Sequence, residues 1–435
     1  MPDVSHPSPL SRRTFLKAAA LGGAALVSAQ LFGAPAQLLG TPAPQRPARS
    51  SAPLRVGVLL PQPTVYPALG ENFLAGLQIA LAGLGGALGG RPVQLQPAGF
   101  GVSPGAALAM TRQLIEQRAA DLIVTTVSSG VASSLHGLLA EHETPLIVSS
   151  PGANITRHDR ESPYLVRNML GYWQSSFALG AWAARSLGAS AVIATSFYDS
   201  GYDANYAFRI GFERMGGAIV DTHVTHLPAR STDLVELCRA IDAARPDLVY
   251  AAYCGREAVE FVRAYAEAGL AGRVPLLGSG FLTDESILPE QGPAAQGIRT
   301  ALAWAPSLDT PANASLATAF AERAGRPADA FAALGYDTAT LLAQGLDAVD
   351  GRVEQTDRLL DALGRATFDG PRGRVTMDPA TRSAVSPIYL REVRSTPRGL
   401  ANAVLAELPH PADDERLAAV RTSVLSGWQN AYLSI

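Results

Sequence analysis

Residues 124–135, VTTVSSGVASSL, place four serines and two threonines at the end of the apolar run Leu122, Ile123, Val124. Hydroxyls at that density serve one of two chemistries: a single serine attacks a substrate, or several hold a molecule that leaves unchanged. A nucleophilic serine commonly sits in G-x-S-x-G on a strand-to-helix elbow. Neither Ser128-Ser129-Gly130-Val131 nor Gly278-Ser279-Gly280 fits that pattern. Catalytic triads assemble in space rather than in sequence, and seven histidines are present, so a hydrolase with Ser129 as nucleophile remains an alternative.

The holding chemistry follows from position. Ser128 and Ser129 stand where the carboxyl end of a strand meets the amino end of the next helix. Free backbone N–H groups and the positive end of the helix dipole face a crevice there. Hydroxyls at such a junction cap the helix, or join the N–H groups in holding an anionic ligand group. A second junction of the same kind follows at Ser149, Ser150, Pro151, Gly152 and Ala153. Two adjacent hydroxyl-lined strand ends favour an anion pocket over two separate caps.

Other candidate chemistries are weaker. Lys17 is the only lysine, and every other basic side chain is arginine, so beyond residue 17 the chain offers no P-loop lysine and no Schiff-base amine. The run GLGGALGG at 83–90 fails G-x-G-x-x-G because Leu88 takes the sixth position, and it reads as a helix-ending turn. His223 and His226 would point to opposite faces of a strand and lack further ligands at metal spacing, so no metal and no cofactor are expected. Cys238 and Cys254 read as separate buried thiols, although a disulfide is possible in an oxidising compartment.

From Leu54 onward, short apolar runs alternate with segments of helical period, the pattern of βαβ units and an α/β fold with parallel-rich sheets. Strands are expected at 54–61, 91–100, 121–127, 145–150, 191–198, 218–227, 247–253, 274–280 and late at 387–393. Helices are expected between them, among others at 70–84, 104–119, 130–142, 172–187, 202–216, 232–244 and 256–270, followed by 313–324, 328–349 and 354–366. The chain of 435 residues exceeds the roughly 250 to 300 at which one core stops growing, so two lobes are expected. A net charge of -3 and no long basic run give no field for a phosphate backbone, and no nucleic-acid partner is expected.

The first 29 residues have the order of an export signal: charged start, short apolar run, and Val27-Ser28-Ala29 as a small-x-small cleavage site. Ser11-Arg12-Arg13-Thr14-Phe15-Leu16-Lys17 resembles the twin-arginine signal throughout its pattern, which implies a periplasmic destination. The apolar run is shorter than the roughly 20 residues that span a bilayer. Residues 30–53, rich in Pro, Ala, Gly and Ser, read as a flexible tether.

The ordered stretches SSGVASSLHGLLAEHETPLIVSSPGAN (128–154), PYLVRNMLGYWQ (163–174), DLVYAAYCGREAVEFVRAYAEAGL (247–270), LLGSGFLTDE (276–285) and AALGYDTATLLAQGLDAV (332–349) resemble the periplasmic solute-binding proteins of leucine/isoleucine/valine type. That family resemblance implies the type I periplasmic binding fold, two Rossmann-like lobes joined by three crossovers and closing over a small solute. The crossovers would fall near Arg167–Tyr172, Ala301–Ala305 and Met377–Pro387. One lobe would hold 54–170 plus 305–380, the other 171–303 plus 385–408, leaving 409–435 as a C-terminal extension.

The resemblance further implies a non-enzymatic receptor that delivers a small-molecule solute to the membrane permease and ATPase subunits of an ABC importer. A ligand sensor on the same fold is the alternative. The family's carboxylate-binding serine falls on Ser129, sixteen positions before Pro145. Its two ammonium-binding positions, a threonine and a glutamate, fall on Ala153 and Gly280. A buried ammonium without partners is costly, so these two residues argue against an amino acid. Tyr172, Trp173, Tyr202, Tyr253 and Phe281 are the aromatics near the implied cleft, and they suggest a carboxylate with an apolar or aromatic body.

Overall fold

The computed structural model describes residues 52–62, 68–100, 103–126, 129–150, 162–196, 199–226 and 229–411, without the side chains of 129, 130, 133 and 199–203. The expected export signal, almost all of the tether, Ser128, Ala153 and the extension beyond 411 therefore lie outside the described residues, as do the side chains of Ser129 and Tyr202.

Two sheets organise the chain. The strands are β1 (Leu54–Pro61), β2 (Ala87–Leu88), β3 (Arg91–Phe100), β4 (Leu122–Thr125), β5 (Leu146–Ser150), β6 (Leu165–Met169), β7 (Ser190–Ser196), β8 (Ala218–Thr225), β9 (Leu248–Ala252), β10 (Leu276–Ser279), β11 (Arg299–Leu302), β12 (Thr367–Gly370), β13 (Gly373–Asp378), β14 (Ser383–Val385), β15 (Ile388–Thr396) and β16 (Gly399–Leu408). Nine of them run β12-β13-β14-β6-β5-β4-β1-β3-β2, and seven run β16-β15-β11-β10-β9-β7-β8. The central pairs are parallel, with Val56 opposite Leu122, Ile123 opposite Leu146 and Leu146 opposite Leu165. Every residue of β4, β5, β6 and β9 is buried. Near-continuous apolar runs in such strands fit a parallel sheet covered on both faces.

The chain passes between the sheets three times, after Met169, after Leu302 and between Val385 and Ile388. This is the α/β architecture expected from the sequence, with a three-passage hinge. The third passage is narrower than Met377–Pro387, because β14 first pairs with β13 and β6. The helix expected at 130–142 is two, Ser129–Ser134 and His136–His142, separated at Leu135. The strands β12, β13, β14 and β16 were not expected from periodicity.

Each sheet is backed by a helix pair that crosses at reciprocal glycines. Where the Leu69–Gly83 and Ala330–Ala348 helices meet, a Cβ on Gly76 would lie 1.9 Å from the Ala332 carbonyl and one on Gly335 2.0 Å from that of Phe73. The Tyr172–Ser186 and Asp199–Arg214 helices meet likewise, Gly180 against the Phe208 carbonyl and Gly211 against that of Phe177, at 2.3 and 2.1 Å. Backbones approach this closely only where the side chain is a single hydrogen. Cys238 and Cys254 are both buried and are not bridged to each other, and burial pushes the Cys238 thiol up to about 11.

Candidate functional site

The strand ends of the nine-stranded sheet carry the hydroxyls. At the end of β4, Thr125 Oγ1 donates to the Leu59 carbonyl at 2.8 Å and Thr126 is buried. The Ser129–Ser134 helix starts just beyond. At the end of β5, Ser149 Oγ lies 2.6 Å from Thr338 Oγ1, on the Ala330–Ala348 helix. Thr338 Oγ1 also donates to the Leu334 carbonyl and accepts from Asn168 Nδ2. Successive strand residues face opposite ways, so Ser149 is turned to that helix and Ser150, also buried, to the other face.

Three aromatic rings meet where the two sheets' halves of the molecule adjoin. Tyr172, at the first passage, lies 5.5 Å from Phe281 between ring centroids, with planes 42° apart. Phe281, beyond β10, lies 5.4 Å from Phe331, with planes 17° apart. Phe331 stands in the first turn of the Ala330–Ala348 helix, N-capped by Asp329 Oδ1 accepting from the Ala332 N–H. Tyr172 and Phe281 are among the aromatics expected near the cleft from the sequence, and Phe331 is not. The available signal was the N-cap: Asp329 fixes where the helix begins and therefore which aromatic its first turn presents.

The other named aromatics take other partners. Trp173 stacks on Phe177 at 5.5 Å and packs with Ala207 and Ile210, its Nε1 buried without a protein partner among the described residues. Tyr253 stacks on Phe261 at 4.6 Å, and its hydroxyl lies 3.3 Å from Thr225 Oγ1. Gly280 has a physical reason to be glycine. A Cβ there would lie 2.6 Å from Leu302 Cδ1 and 3.0 Å from the Ala301 carbonyl, while its own carbonyl accepts from Arg391 Nη2 at 2.6 Å.

Several buried charged groups stand close in sequence to Phe281 and Phe331. Asp284 and Asp329 are 1% and 2% exposed. Burial raises both above the usual carboxylate range; Ser286 opposes this at Asp284, while the nearby Asp284 charge adds to it at Asp329. Asp329 Oδ2 accepts from Asn72 Nδ2, whose Oδ1 accepts from Arg326. Glu285 is raised by burial too, and its Oε1 accepts from Asn402 Nδ2 at 2.6 Å. Asp337 pairs with Arg372, both 0% exposed, and burial pushes its carboxyl up to about 6 against the pull of that arginine. In the seven-stranded sheet, Ser196 Oγ at the end of β7 donates to Glu257 at 2.7 Å.

His223 lies 3.0 Å from Asp221 and His226 2.9 Å from Asp233. Among the described residues no three His, Cys, Asp or Glu side chains gather as a metal would require. No described helix is long and apolar enough to cross a membrane. Chemically, the described residues offer buried hydroxyls at the ends of β4 and β5 and, separately, a contact of three aromatic rings drawn from both sheets' halves.

The chain is similar to known proteins over most of its length. A family model described as periplasmic binding protein matches residues 53–398. A structure of an ABC transporter substrate-binding protein from Sphaerobacter thermophilus is 33% identical with a TM-score of 0.77, covering 82% of this chain and 98% of that one. A solute-binding protein of an ABC transporter from R. palustris, solved in complex with benzoate, is 32% identical with a TM-score of 0.74, covering 83% and 98%. Leu/Ile/Val-binding protein homolog 6 of Brucella melitensis biotype 1 is 27% identical over 354 residues, 80% of this chain and 89% of that protein.

Proposed function

The chain belongs to the periplasmic binding protein family, whose members are non-enzymatic solute-binding proteins of ABC transporters, and from that premise we propose that its solute is a small carboxylate with an aromatic body. The carboxylate is held at the β4–helix junction by Ser128 and Ser129, the latter being where the family's carboxylate-binding serine falls. The body lies against Tyr172, Phe281 and Phe331.

One observation carries the aromatic choice: rings from both sides of the cleft meet at Phe281, while position 280, where the family's ammonium-binding glutamate would stand, has no room for a Cβ. Ala153, at the other ammonium position, supplies no hydroxyl. The relative from R. palustris, bound to benzoate, supports the same reading. Closure is driven by contacts that exist only when the solute bridges both lobes.

The receptor is exported by the twin-arginine route through Ser11–Lys17 and delivers its solute to a permease with ATPase subunits. Titration calorimetry with benzoate, 4-hydroxybenzoate and leucine tests the solute class. Saturable one-to-one binding of the aromatic acids, with no heat from leucine, is the expected result. Tight leucine binding overturns it.

A further inference from the structure

Arg372 and Arg391 are each 0% exposed, and neither takes part in the three-ring contact. Arg372 stands in the turn between β12 and β13. Its Nε donates to Asp337 Oδ2 and its Nη2 to Asn168 Oδ1. Its Nη1 donates to the Met169 carbonyl at 2.6 Å and reaches Ser386 Oγ at 3.5 Å. Met169 ends β6, where the chain first leaves the nine-stranded sheet, and Ser386 lies in the third passage. One guanidinium thus touches two of the three passages. Its turn is shaped for this: a Cβ on Gly370 would lie 1.9 Å from Asp337 Oδ1, and Gly373 adopts φ +87°.

Arg391, on β15, does the same for the remaining passage. Its Nη1 donates to the Trp304 carbonyl at 2.9 Å, in the second passage, and its Nη2 to the Gly280 carbonyl at 2.6 Å. Nε and Nη2 both donate to Thr300 Oγ1, at 3.2 and 3.0 Å. Tyr389 links the two arginines, since its hydroxyl donates to the Arg372 carbonyl at 3.0 Å from a position two residues before Arg391. Burying two guanidiniums is costly, and apolar side chains of similar volume commonly serve stability as well or better. What a planar fork of five donors adds is simultaneous registration of carbonyls and side chains from separate segments.

We infer that Arg372 and Arg391, joined through Tyr389, are positioning residues that fasten the three passages into one seam, about which the two halves turn and which sets Gly280, and with it Phe281, against the opposite side. The consequence for solute capture rests on the proposed receptor function; the seam itself does not.

Hydrogen–deuterium exchange on the full ligand-free chain tests the seam, comparing the wild type with Arg372→Lys, Arg391→Lys and Tyr389→Phe. Lysine keeps the charge and loses the fork. The expected result is roughly tenfold faster exchange at Leu170, Trp304 and Ile388, with β9 and the Leu69–Gly83 helix unchanged, because opening is local. Acceleration shared evenly by all segments would reduce the arginines to general stabilisers and overturn the inference. If the lysine variants do not fold, Tyr389→Phe, which removes one hydroxyl, decides alone, and unchanged exchange at the passages in that variant overturns it equally. Benzoate titration separates the two readings: a wild type that ignores benzoate refutes the aromatic solute while the exchange result stands, and a binding wild type is expected to lose benzoate about threefold faster in Tyr389→Phe with association unaltered.

Discussion

The rings of Phe281 and Phe331 stack 5.4 Å apart although they belong to the halves of the chain built on different sheets. Phe281 follows the end of β10 in the seven-stranded sheet, and Phe331 opens the helix that reaches Ser149 through Thr338. The contact links the aromatic wall to the hydroxyl-bearing strand ends of the other sheet.

Phe331→Leu keeps an apolar side chain and removes the stacked ring. An aromatic pair is worth about 0.5 to 1.5 kcal/mol beyond burial. Affinity for benzoate is expected to fall about two- to tenfold in calorimetric titration, since about 1.4 kcal/mol is one decade. Unfolding in urea is expected to lose about 0.5 to 1.5 kcal/mol, the worth of the ring pair within the chain.

Gly280→Ala places a methyl group 2.6 Å from Leu302 Cδ1 and 3.0 Å from the Ala301 carbonyl. Overpacking of this kind costs about 1 to 3 kcal/mol. The loss is expected in urea unfolding, together with weaker benzoate binding, since the Gly280 carbonyl is held by Arg391 and any backbone shift moves Phe281. Wild-type stability in this variant would show that the strand end has more slack than its contacts imply.

How much of this could be read from residues alone varies along the chain for physical reasons. β4 and β9 were legible because both faces are buried and their sequences, LIVT and LVYAA, are almost continuously apolar. β16, GLANAVLAEL, was not, because its alanines suit a helix equally well and its burial is irregular. Tyr172 and Phe281 could be named as candidates from the family resemblance but not as ring partners, and Phe331 sits in a helix whose apolar period reads as ordinary core. The roles of Arg372 and Arg391 were invisible because three of their partners are backbone carbonyls, which every residue carries, and the others, Asp337, Asn168, Ser386 and Thr300, are distant in sequence.

The reciprocal glycines give a stability prediction with its own control. Gly76→Ala and Gly211→Ala each drive a Cβ to about 2 Å from a backbone carbonyl, Ala332 in one helix pair and Phe177 in the other. Backbone cannot yield as a side-chain tip can, so a loss of about 3 kcal/mol or more is expected for each. Gly105, also helical, meets nothing within 4 Å. Gly105→Ala is expected to add about 0.4 to 1 kcal/mol by restricting the unfolded chain. Calorimetric melting of the three variants checks the order, and equal melting points would refute the crossing geometry.

The enclosed carboxyls set a pH dependence whose direction can be worked out. Asp337 is raised from 3.8 to about 6, and Glu285 is raised from 4.5, in both cases chiefly by burial, opposed by Arg372 and by Arg391 respectively. A carboxyl raised in the folded state holds its proton longer there than in the unfolded chain, so stability falls with rising pH across the interval between the two values. The Asp337 contribution is fully present below about pH 4 and is lost as pH passes about 6. Asp247 and Asp233, lowered chiefly by Ser190 and Arg230, act in the opposite sense, but their stabilisation is lost only as pH falls through the acidic range. Between about pH 5 and pH 7 the raised groups therefore dominate, and the melting temperature is expected to decline as pH rises. Glu285→Gln keeps an acceptor for Asn402 Nδ2 and cannot titrate, so its melting temperature is expected to fall less steeply over the same range. Melting curves at stepped pH decide this, and parallel slopes for the variant and the wild type would remove Glu285 from the explanation.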